Sequence, residues 1–204
     1  MSDALDTLGL AGTVTGIHRM STDRRISGRV VTVKLDRADD DRRPPASRHL
    51  GTTAIEASQS GDVIVVEQRT GIDAAGWGGV LSLGASLKGV AGVVIEGLAR
   101  DVDEARMHGF AVFARDHTAR TARGRIVETG TNVPIVVGDI PVAPGDFIVA
   151  DGSAVVFVGA QDIERVLDAA EAIAAREAAM IASLKAGTPI TQVMGKNYET
   201  MLKK

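Results

Sequence analysis

The chain has 204 residues, enough for one domain with a sizeable core, and its 45% hydrophobic and 24% charged residues are typical of a globular protein. Its formal net charge of -3 gives no electrostatic basis for binding nucleic acid or an anionic membrane, and the absence of cysteine excludes disulfides, thiolate nucleophiles and cysteine-ligated metals. No apolar run reaches the about 18 residues of a membrane-spanning helix, and the acidic start does not resemble a signal peptide, so we expect a cytoplasmic protein.

The first sixty residues predict two short helices around one strand. Residues 2–8 predict a helix capped by Ser2, and the alternating run 28–35 predicts a strand. Residues 36–48 contain Pro44-Pro45 and balanced acidic and basic residues, which favours a solvated surface loop over a phosphate-binding patch. Residues 49–60 predict a short helix.

The middle of the chain predicts alternating strands and helices. The apolar, β-branched runs 63–68, 92–96 and 110–113 predict buried strands, and 80–88 and 102–108 predict the helices between them. Gly97 is expected to end the second of these strands. This order implies right-handed crossovers and a parallel sheet.

Arg100 and Asp101 follow a buried parallel strand and precede a helix. Ligands of open α/β sheets bind at the carboxyl ends of strands. A guanidinium can hold a carboxylate through two parallel hydrogen bonds, and a neighbouring carboxylate can hold a hard cation. The alternative is a local surface ion pair at a helix start.

The glycine-rich link 70–79 joins a predicted strand to a helix. A strand, a glycine turn and a helix start can form a nest of backbone amides that holds an anion. The glycine spacing matches neither a Walker loop nor a dinucleotide fingerprint. The alternative is that these glycines only allow a tight turn and close packing.

The last part of the chain predicts antiparallel strands and one long helix. Residues 126–128, 134–137, 146–150 and 154–158 predict an antiparallel segment packed on the parallel part. Residues 161–186 predict an alanine-rich helix, stopped by Gly187 and Pro189, that packs on a neighbouring subunit or caps its own sheet. The tail 190–204 predicts a last short helix. We expect one domain over 1–204, with 161–204 as a helical extension. The four histidines do not cluster, so a histidine-ligated metal is not expected.

Several segments together resemble the RraA-like family, namely GDVIVVE, WGG, GVAGVVIEGLARDVDE, GFAVFAR and PGDFIVADGSAVVFV. This family includes the regulators of ribonuclease E activity A and the class II aldolases for 4-hydroxy-4-methyl-2-oxoglutarate and 4-carboxy-4-hydroxy-2-oxoadipate. The resemblance implies an α/β fold, the swivelling β/β/α domain, with parallel strand-helix units, antiparallel strands and a long C-terminal helix. It also implies a homotrimer or homohexamer with active sites between subunits.

The resemblance also implies a set of site residues. Asp101 would bind Mg²⁺, or another divalent metal such as Mn²⁺, and Arg100 would hold the keto acid. The backbone amides of Gly78, Gly79, Val80 and Leu81 would hold the pyruvyl carboxylate, and Glu177 is the candidate for a catalytic glutamate contributed by the neighbouring subunit.

Gly79 departs from the pattern of the family's enzymes. These carry an acidic residue, twenty intervening residues and then Arg-Asp, and here residue 79 occupies the acidic position. The missing acid would help to move protons, and Glu104, Asp73 or Glu177 are possible substitutes. A positive φ is one possible reason for glycine there.

The resemblance therefore implies a metal-dependent pyruvate aldolase. It would cleave a 4-hydroxy-2-oxo acid to pyruvate and a second carbonyl compound, with oxaloacetate decarboxylation as a side activity. The alternative is a non-catalytic ring that binds a protein partner or a small acid. The intact Arg100-Asp101 pair favours the enzyme, and Gly79 favours the alternative.

Overall fold

The computed structural model describes residues 1–38 and 48–195, which form two compact units. One unit is Thr13–Ala160, and the other combines Met1–Gly12 with the chain from Gln161 onward. The strands are β1 (Thr13–Val14), β2 (His18–Arg19), β3 (Ile26–Arg37), β4 (Val63–Gln68), β5 (Ala75–Trp77), β6 (Gly92–Ala99), β7 (Ala111–His117), β8 (Ile126–Thr131), β9 (Ile135–Val137), β10 (Ile140–Val142), β11 (Phe147–Ala150) and β12 (Val155–Val158). The helices are α1 (Ser2–Leu8), α2 (Thr52–Ala57), α3 (Gly79–Leu87), α4 (Val102–Met107), α5 (Ile163–Lys185) and α6 (Ile190–Val193).

The centre of the larger unit is a parallel sheet in the order β3-β4-β6-β7. The strand-helix alternation predicts that β4, β6 and β7 are parallel, and the structure adds β3 beside β4. Val30, Val63, Gly92 and Ala111 lie in one row across it. Every residue of β4 is buried, which explains its unbroken apolar sequence, since a central parallel strand is covered on both faces.

Side chains that alternate along these strands enter two separate cores. Ile64 and its neighbours on one face pack with residues of α2, α3 and α4, together with Trp77. Val65 and its neighbours on the other face pack with residues of the antiparallel strands, including Ile148. The mixed α/β fold with layers of helices, sheet and further β structure is therefore confirmed for this unit.

The antiparallel strands pack on the parallel part as predicted, and several of them also pair with it, which the sequence pattern does not predict. The long strand β3 pairs with β4 along one edge, and its other edge pairs with β11 over residues 26–29 and with β8 over residues 33–37. These strands therefore extend the same sheet. Among the described residues, β9 and β10 alone form a separate two-stranded sheet, and β10 was not predicted from the sequence.

Gly97 does not end the second strand of the predicted parallel sheet, because β6 continues to Ala99. A Cβ at Gly97 would lie 2.7 Å from the Cβ of Gln68, so glycine is required by close packing. The buried Gln68 side chain donates to the carbonyl of Ala74 at 2.6 Å and accepts from the amide of Leu98 at 3.4 Å. Gln68 thereby joins three segments, namely the end of β4, the residue before β5 and the second half of β6. The sequence pattern predicts a glycine-rich link over residues 70–79, and the strand β5 within it was not predicted.

The smaller unit is helical. In α1, Met1 and not Ser2 precedes the first helical residue, so the predicted cap is wrong by one position. The long helix α5 agrees with the helix predicted at 161–186. The short helix α6 agrees with the helix predicted in the tail, and residues 196–204 of that tail lie outside the described part of the chain. The first two residues of the predicted loop 36–48 belong to β3. Residues 39–47 of this loop lie outside the described part of the chain. No helix within residues 1–38 and 48–195 is long and apolar enough to cross a membrane.

Candidate functional site

Two helices begin side by side at the carboxyl end of the parallel sheet. Strand β5 is parallel to the second half of β6, with Trp77 paired to Ala99. The amide of Arg100 donates to the carbonyl of Trp77 at 3.0 Å, so the chain leaves both strands at the same level. Because α3 starts at Gly79 and α4 at Val102, this pairing brings Gly78-Gly79 next to Arg100-Asp101.

Asp101 occupies the turn between β6 and α4 in a left-handed conformation, with φ 54° and ψ 43°. Aspartate tolerates this region better than most residues, at a cost of roughly 1–2 kcal/mol. Its Oδ2 accepts a hydrogen bond from the amide of Gly79 at 3.0 Å and lies 3.3 Å from Nε of Arg100. The carboxylate thus joins the starts of both helices.

The guanidinium of Arg100 lies beside Asp101, with Nε 3.3 Å from Oδ2. Within residues 1–38 and 48–195, no group accepts a hydrogen bond from its two terminal nitrogens, and 41% of the side chain is exposed. These terminal nitrogens are therefore available to an outside carboxylate. The observed ion pair agrees with the alternative of a surface pair, and it leaves the proposed ligand role open as well.

A cavity of about 340 Å³ lies against this pair of residues. Its walls come from loops that follow β3, β5, β6 and β7, consistent with ligand binding at the carboxyl ends of parallel strands. The lining residues are His49, Leu50, Thr52, Ala75, Trp77, Gly78, Gly79, Val80, Leu81, Arg100, Asp101, Thr121 and Ala122.

Trp77 forms a rigid part of the cavity wall. It is buried, its ring stacks on Phe110, and its Nε1 donates to Oγ of Ser82 at 3.1 Å. The Ser82 hydroxyl in turn donates to the carbonyl of Gly78 at 3.0 Å. These contacts fix the turn from β5 into α3, so the glycine-rich link is a structured part of the site.

Of the predicted anion-binding amides, one has a partner within the chain. The Gly79 amide donates to Asp101, whereas the amides of Val80 and Leu81 belong to the first helical turn, where N–H groups have no partner inside the helix. The positive end of the α3 dipole adds to any attraction of an anion there.

Gly79 does not have a positive φ, so that suggested reason for glycine is wrong. The reason is space, because a Cβ at position 79 would lie 3.0 Å from the Cβ of Glu104 and 3.2 Å from the Cβ of Asp101. Glycine allows α3 and α4 to approach closely. A family-type acid at this position would not fit the present spacing of the two helices.

The remaining predicted site residues lie elsewhere. Glu177 is on α5 in the helical unit, and its catalytic role stays a prediction. Glu104 is exposed on α4 beside Gly79, and Asp73 lies 3.3 Å from Nε of Arg120. Neither lines the cavity.

His49, Thr52 and Thr121 are polar lining residues that the sequence analysis missed. They follow β3 and β7, and only the order of the strands in the sheet shows that these loops meet the Arg100-Asp101 turn. The same carboxyl-end rule could have indicated both loops once that order was known.

The comparisons with known proteins agree with this fold. The family model described as "RraA-like: Aldolase/RraA" matches residues 1–157. The crystal structure of an uncharacterized protein from Pseudomonas syringae pv. tomato str. DC3000 is 30% identical, with a TM-score of 0.83 over 95% of this chain and 90% of that one. Streptomyces coelicolor RraAS2, described as an unusual member of the RNase ES inhibitor RraA protein family, is 25% identical, with a TM-score of 0.73 over 86% of this chain and 88% of that one.

Two curated relatives are longer than the region they share with this chain. Protein DlpA of Legionella pneumophila is 25% identical over 140 residues, which are 69% of this chain and 22% of that protein. The match to a second relative covers 60% of its length. Since the family model covers most of the chain and the fold agrees, this protein belongs to the RraA-like family, which includes both metal-dependent aldolases and non-catalytic inhibitors of RNase E.

Proposed function

We propose that this protein is a divalent-metal-dependent lyase that cleaves a 4-hydroxy-2-oxo acid to pyruvate and a second carbonyl compound. Oxaloacetate decarboxylation is its side activity. The observation that supports this most is the pair Arg100-Asp101, which lines a cavity beside the start of α3. Its volume of about 340 Å³ lies at the small end of the range for ligand sites.

The residues present fit Mg²⁺ or Mn²⁺ held mainly by water. No group of three or more His, Asp or Glu side chains that could hold a metal occurs in the part of the chain that the structure describes. Magnesium commonly binds through one or two carboxylates and keeps several waters, so Asp101 alone is a sufficient protein ligand. Its side chain is 33% exposed and can be reached from the cavity.

The substrate's carboxylate matches the other groups at this site. The terminal nitrogens of Arg100 can donate two parallel hydrogen bonds to it, and the amides of Val80 and Leu81, next to Gly78 and Gly79, can donate further ones. The buried, apolar side chains of Trp77 and Leu81 line part of the cavity, and a low local dielectric there would strengthen these contacts.

The reaction breaks the bond between C3 and C4 and leaves its electron pair on the pyruvyl fragment as an enolate. A bound metal would supply positive charge for the enolate oxygen. Arg100 would hold the carboxylate and add a second positive charge that is already in place. The same enolate arises when oxaloacetate loses carbon dioxide, which is the basis of the side activity.

We also propose that the site is completed by assembly into a trimer or hexamer. In that arrangement Glu177 of a neighbouring subunit would act at the site. The exposed apolar side chains of α5 support association, since Leu167 and Ile181 are 45% and 50% exposed.

The second candidate function is a non-catalytic ring that binds a protein partner or a small acid. Two observations favour it, namely Gly79 in place of the family acid and the similarity to RraAS2, a member of an RNase ES inhibitor family. In this function the cavity would bind an acid without turning it over, and Arg100-Asp101 would serve only as an ion pair.

Pyruvate release from oxaloacetate, measured with and without Mg²⁺, tests the proposed function. The wild-type protein should be active only with the metal, and Asp101→Asn should lose that activity, because a neutral amide is a poor ligand for a hard cation. Asparagine also tolerates a left-handed backbone, so the fold should be kept.

Asp103→Asn is a matched control for this experiment. Asp103 lies in the first turn of α4, two residues after Asp101; it pairs with Arg106 and does not line the cavity. It should retain wild-type activity. A folded wild-type protein that binds Mg²⁺ but releases no pyruvate from oxaloacetate or any 4-hydroxy-2-oxo acid would favour the binding ring.

A further inference from the structure

The cavity has few groups that could move a proton. Its ionisable lining side chains within the described residues are His49, Arg100 and Asp101. Arginine stays protonated in proteins and cannot act as a base. Asp101 is occupied by the Gly79 amide and by Arg100, and it is the proposed metal ligand. Histidine is the side chain best suited to proton transfer near neutral pH.

Residues 49–52, which include His49, are held by several contacts. The carbonyl of His49 accepts from the hydroxyl of Thr52 at 2.7 Å, and the amide of Gly51 donates to Oε2 of Glu128 at 2.6 Å. Gly51 also packs against the indole, since a Cβ there would lie 3.1 Å from Cζ3 of Trp77. Residues 49–52 are therefore positioned by the same tryptophan that supports the turn before α3.

The hydrogen-bond partner of the His49 ring shows which of its two nitrogens carries the proton. Nδ1 lies 3.0 Å from the carbonyl oxygen of Leu50. A carbonyl oxygen only accepts, so Nδ1 must carry the hydrogen. In the neutral ring Nε2 then has a free electron pair and can accept a proton.

From these observations we infer that His49 is the catalytic proton-transfer residue of this site. The inference rests on the proposed function. Nε2 takes the proton of the substrate's C4 hydroxyl as the C3–C4 bond breaks, and the electron pair of that bond passes into the enolate. Nε2 then gives the same proton to C3, which yields pyruvate. The two products contain all the atoms of the substrate, so no further reactant is needed.

Two of the three substitutes suggested by the sequence fit this role less well, and the third, Glu177, would have to come from a neighbouring subunit. Glu104 and Asp73 do not line the cavity, and Asp73 is paired with Arg120. His49 is exposed at the cavity wall, so a proton on Nε2 can also exchange with water.

The exchange of pyruvate methyl protons for deuterium in D₂O tests the inference directly. The assay needs only pyruvate, Mg²⁺ and the whole protein, and proton NMR follows the loss of the methyl signal. Nε2 would remove a C3 proton and return a deuteron. His49→Gln should slow the exchange by at least about 100-fold, the lower range for general acid–base catalysis. His108→Gln, at the end of α4 and outside the cavity, should exchange at the wild-type rate.

Oxaloacetate decarboxylation separates proton transfer from a structural role. Its C–C cleavage releases carbon dioxide and removes no proton from a hydroxyl, so His49→Gln should keep most of this activity. Equal losses in both reactions would mean that His49 only supports the loop, and an unchanged exchange rate would overturn the inference outright. If the wild-type protein performs neither reaction, the proposed function fails and the role of His49 falls with it.

A measurement without turnover checks the assigned tautomer. Nitrogen NMR of the imidazole distinguishes a protonated Nδ1 from a protonated Nε2, and His49→Gln identifies the signal. The neutral ring should carry its proton on Nδ1. A neutral ring protonated on Nε2 would leave no electron pair facing the substrate and would overturn the inference.

Discussion

Replacing Gly79 tests whether close helix packing explains the missing family acid. In Gly79→Ala the new Cβ would lie 3.0 Å from the Cβ of Glu104 and 3.2 Å from the Cβ of Asp101. Carbon atoms prefer about 3.5–4.0 Å, so both contacts are too short. A Cβ is fixed by its backbone, and a rotamer change cannot relieve the overlap. The two helices must therefore move apart by a few tenths of an ångström.

The expected loss of stability in Gly79→Ala can be judged against a second glycine of α3, Gly84. Gly84→Ala places a Cβ in the same helix, where its nearest neighbour is Cδ1 of Ile55 at 3.9 Å, an ordinary contact. This control should gain up to about 1 kcal/mol from helix propensity. Gly79→Ala should lose about 1–3 kcal/mol through overpacking, which offsets any such gain. At roughly 2–4 °C per kcal/mol, its melting temperature should lie at least about 2 °C below that of the control.

Thermal and urea unfolding of the two variants measure this difference. Gly79→Asp should be less stable still, because it adds a negative charge beside Asp101 and Glu104. Its pyruvate release should also fall, since any shift of α4 moves Asp101, the proposed metal ligand. Gly79→Ala as stable as Gly84→Ala would refute the packing explanation, and a faster Gly79→Asp would show that the acid can still be accommodated and used.

Three further predictions concern the site, the assembly and acid stability. Arg100→Lys should lose most pyruvate release although it keeps the charge, because lysine cannot donate two parallel hydrogen bonds; a fully active variant would indicate a structural ion pair. Sedimentation should show a trimer or hexamer, and an active monomer would contradict the shared site. The amide of Ser153 lowers the pKa of Asp151 below its ordinary 3.8, so this contribution to stability is complete above that value and is lost as pH falls through the folded pKa. Asp151→Asn should therefore lower the free energy of unfolding by about 1 kcal/mol at pH 7 and by progressively less in acid; a gap independent of pH would argue against it.

The sequence predicts local features of this fold better than it predicts pairing. The runs that became β4 and α3 were recognised almost to the residue, because burial and helix termination leave local patterns. The short strand β5 was missed because its residues form a strand only through pairing with β6. The extension of the sheet through β3 was missed for the same reason, since a long strand does not reveal which partners lie along its two edges.

The residues of the candidate site also fall into two groups, those that the local sequence indicates and those that only the arrangement of strands and helices reveals. Arg100 and Asp101 could be recognised because they directly follow a buried strand in the chain. His49 precedes that strand by more than forty residues, and it joins the site only because β3 and β6 lie in one sheet with their carboxyl ends at one edge. The packing reason for Gly79 likewise required the observed distance between α3 and α4.

The backbone at Asp101 links the fold to the proposed chemistry. A turn from β6 into α4 through the left-handed region would be easiest for glycine, which adopts a positive φ without strain. The chain instead has aspartate there, at a conformational cost of roughly 1–2 kcal/mol. The hydrogen bond from the Gly79 amide to Oδ2 offsets part of this cost and aims the carboxylate at the start of α3, beside the cavity. A turn alone would not require a carboxylate at a costly position, whereas a metal ligand next to a substrate-binding arginine would.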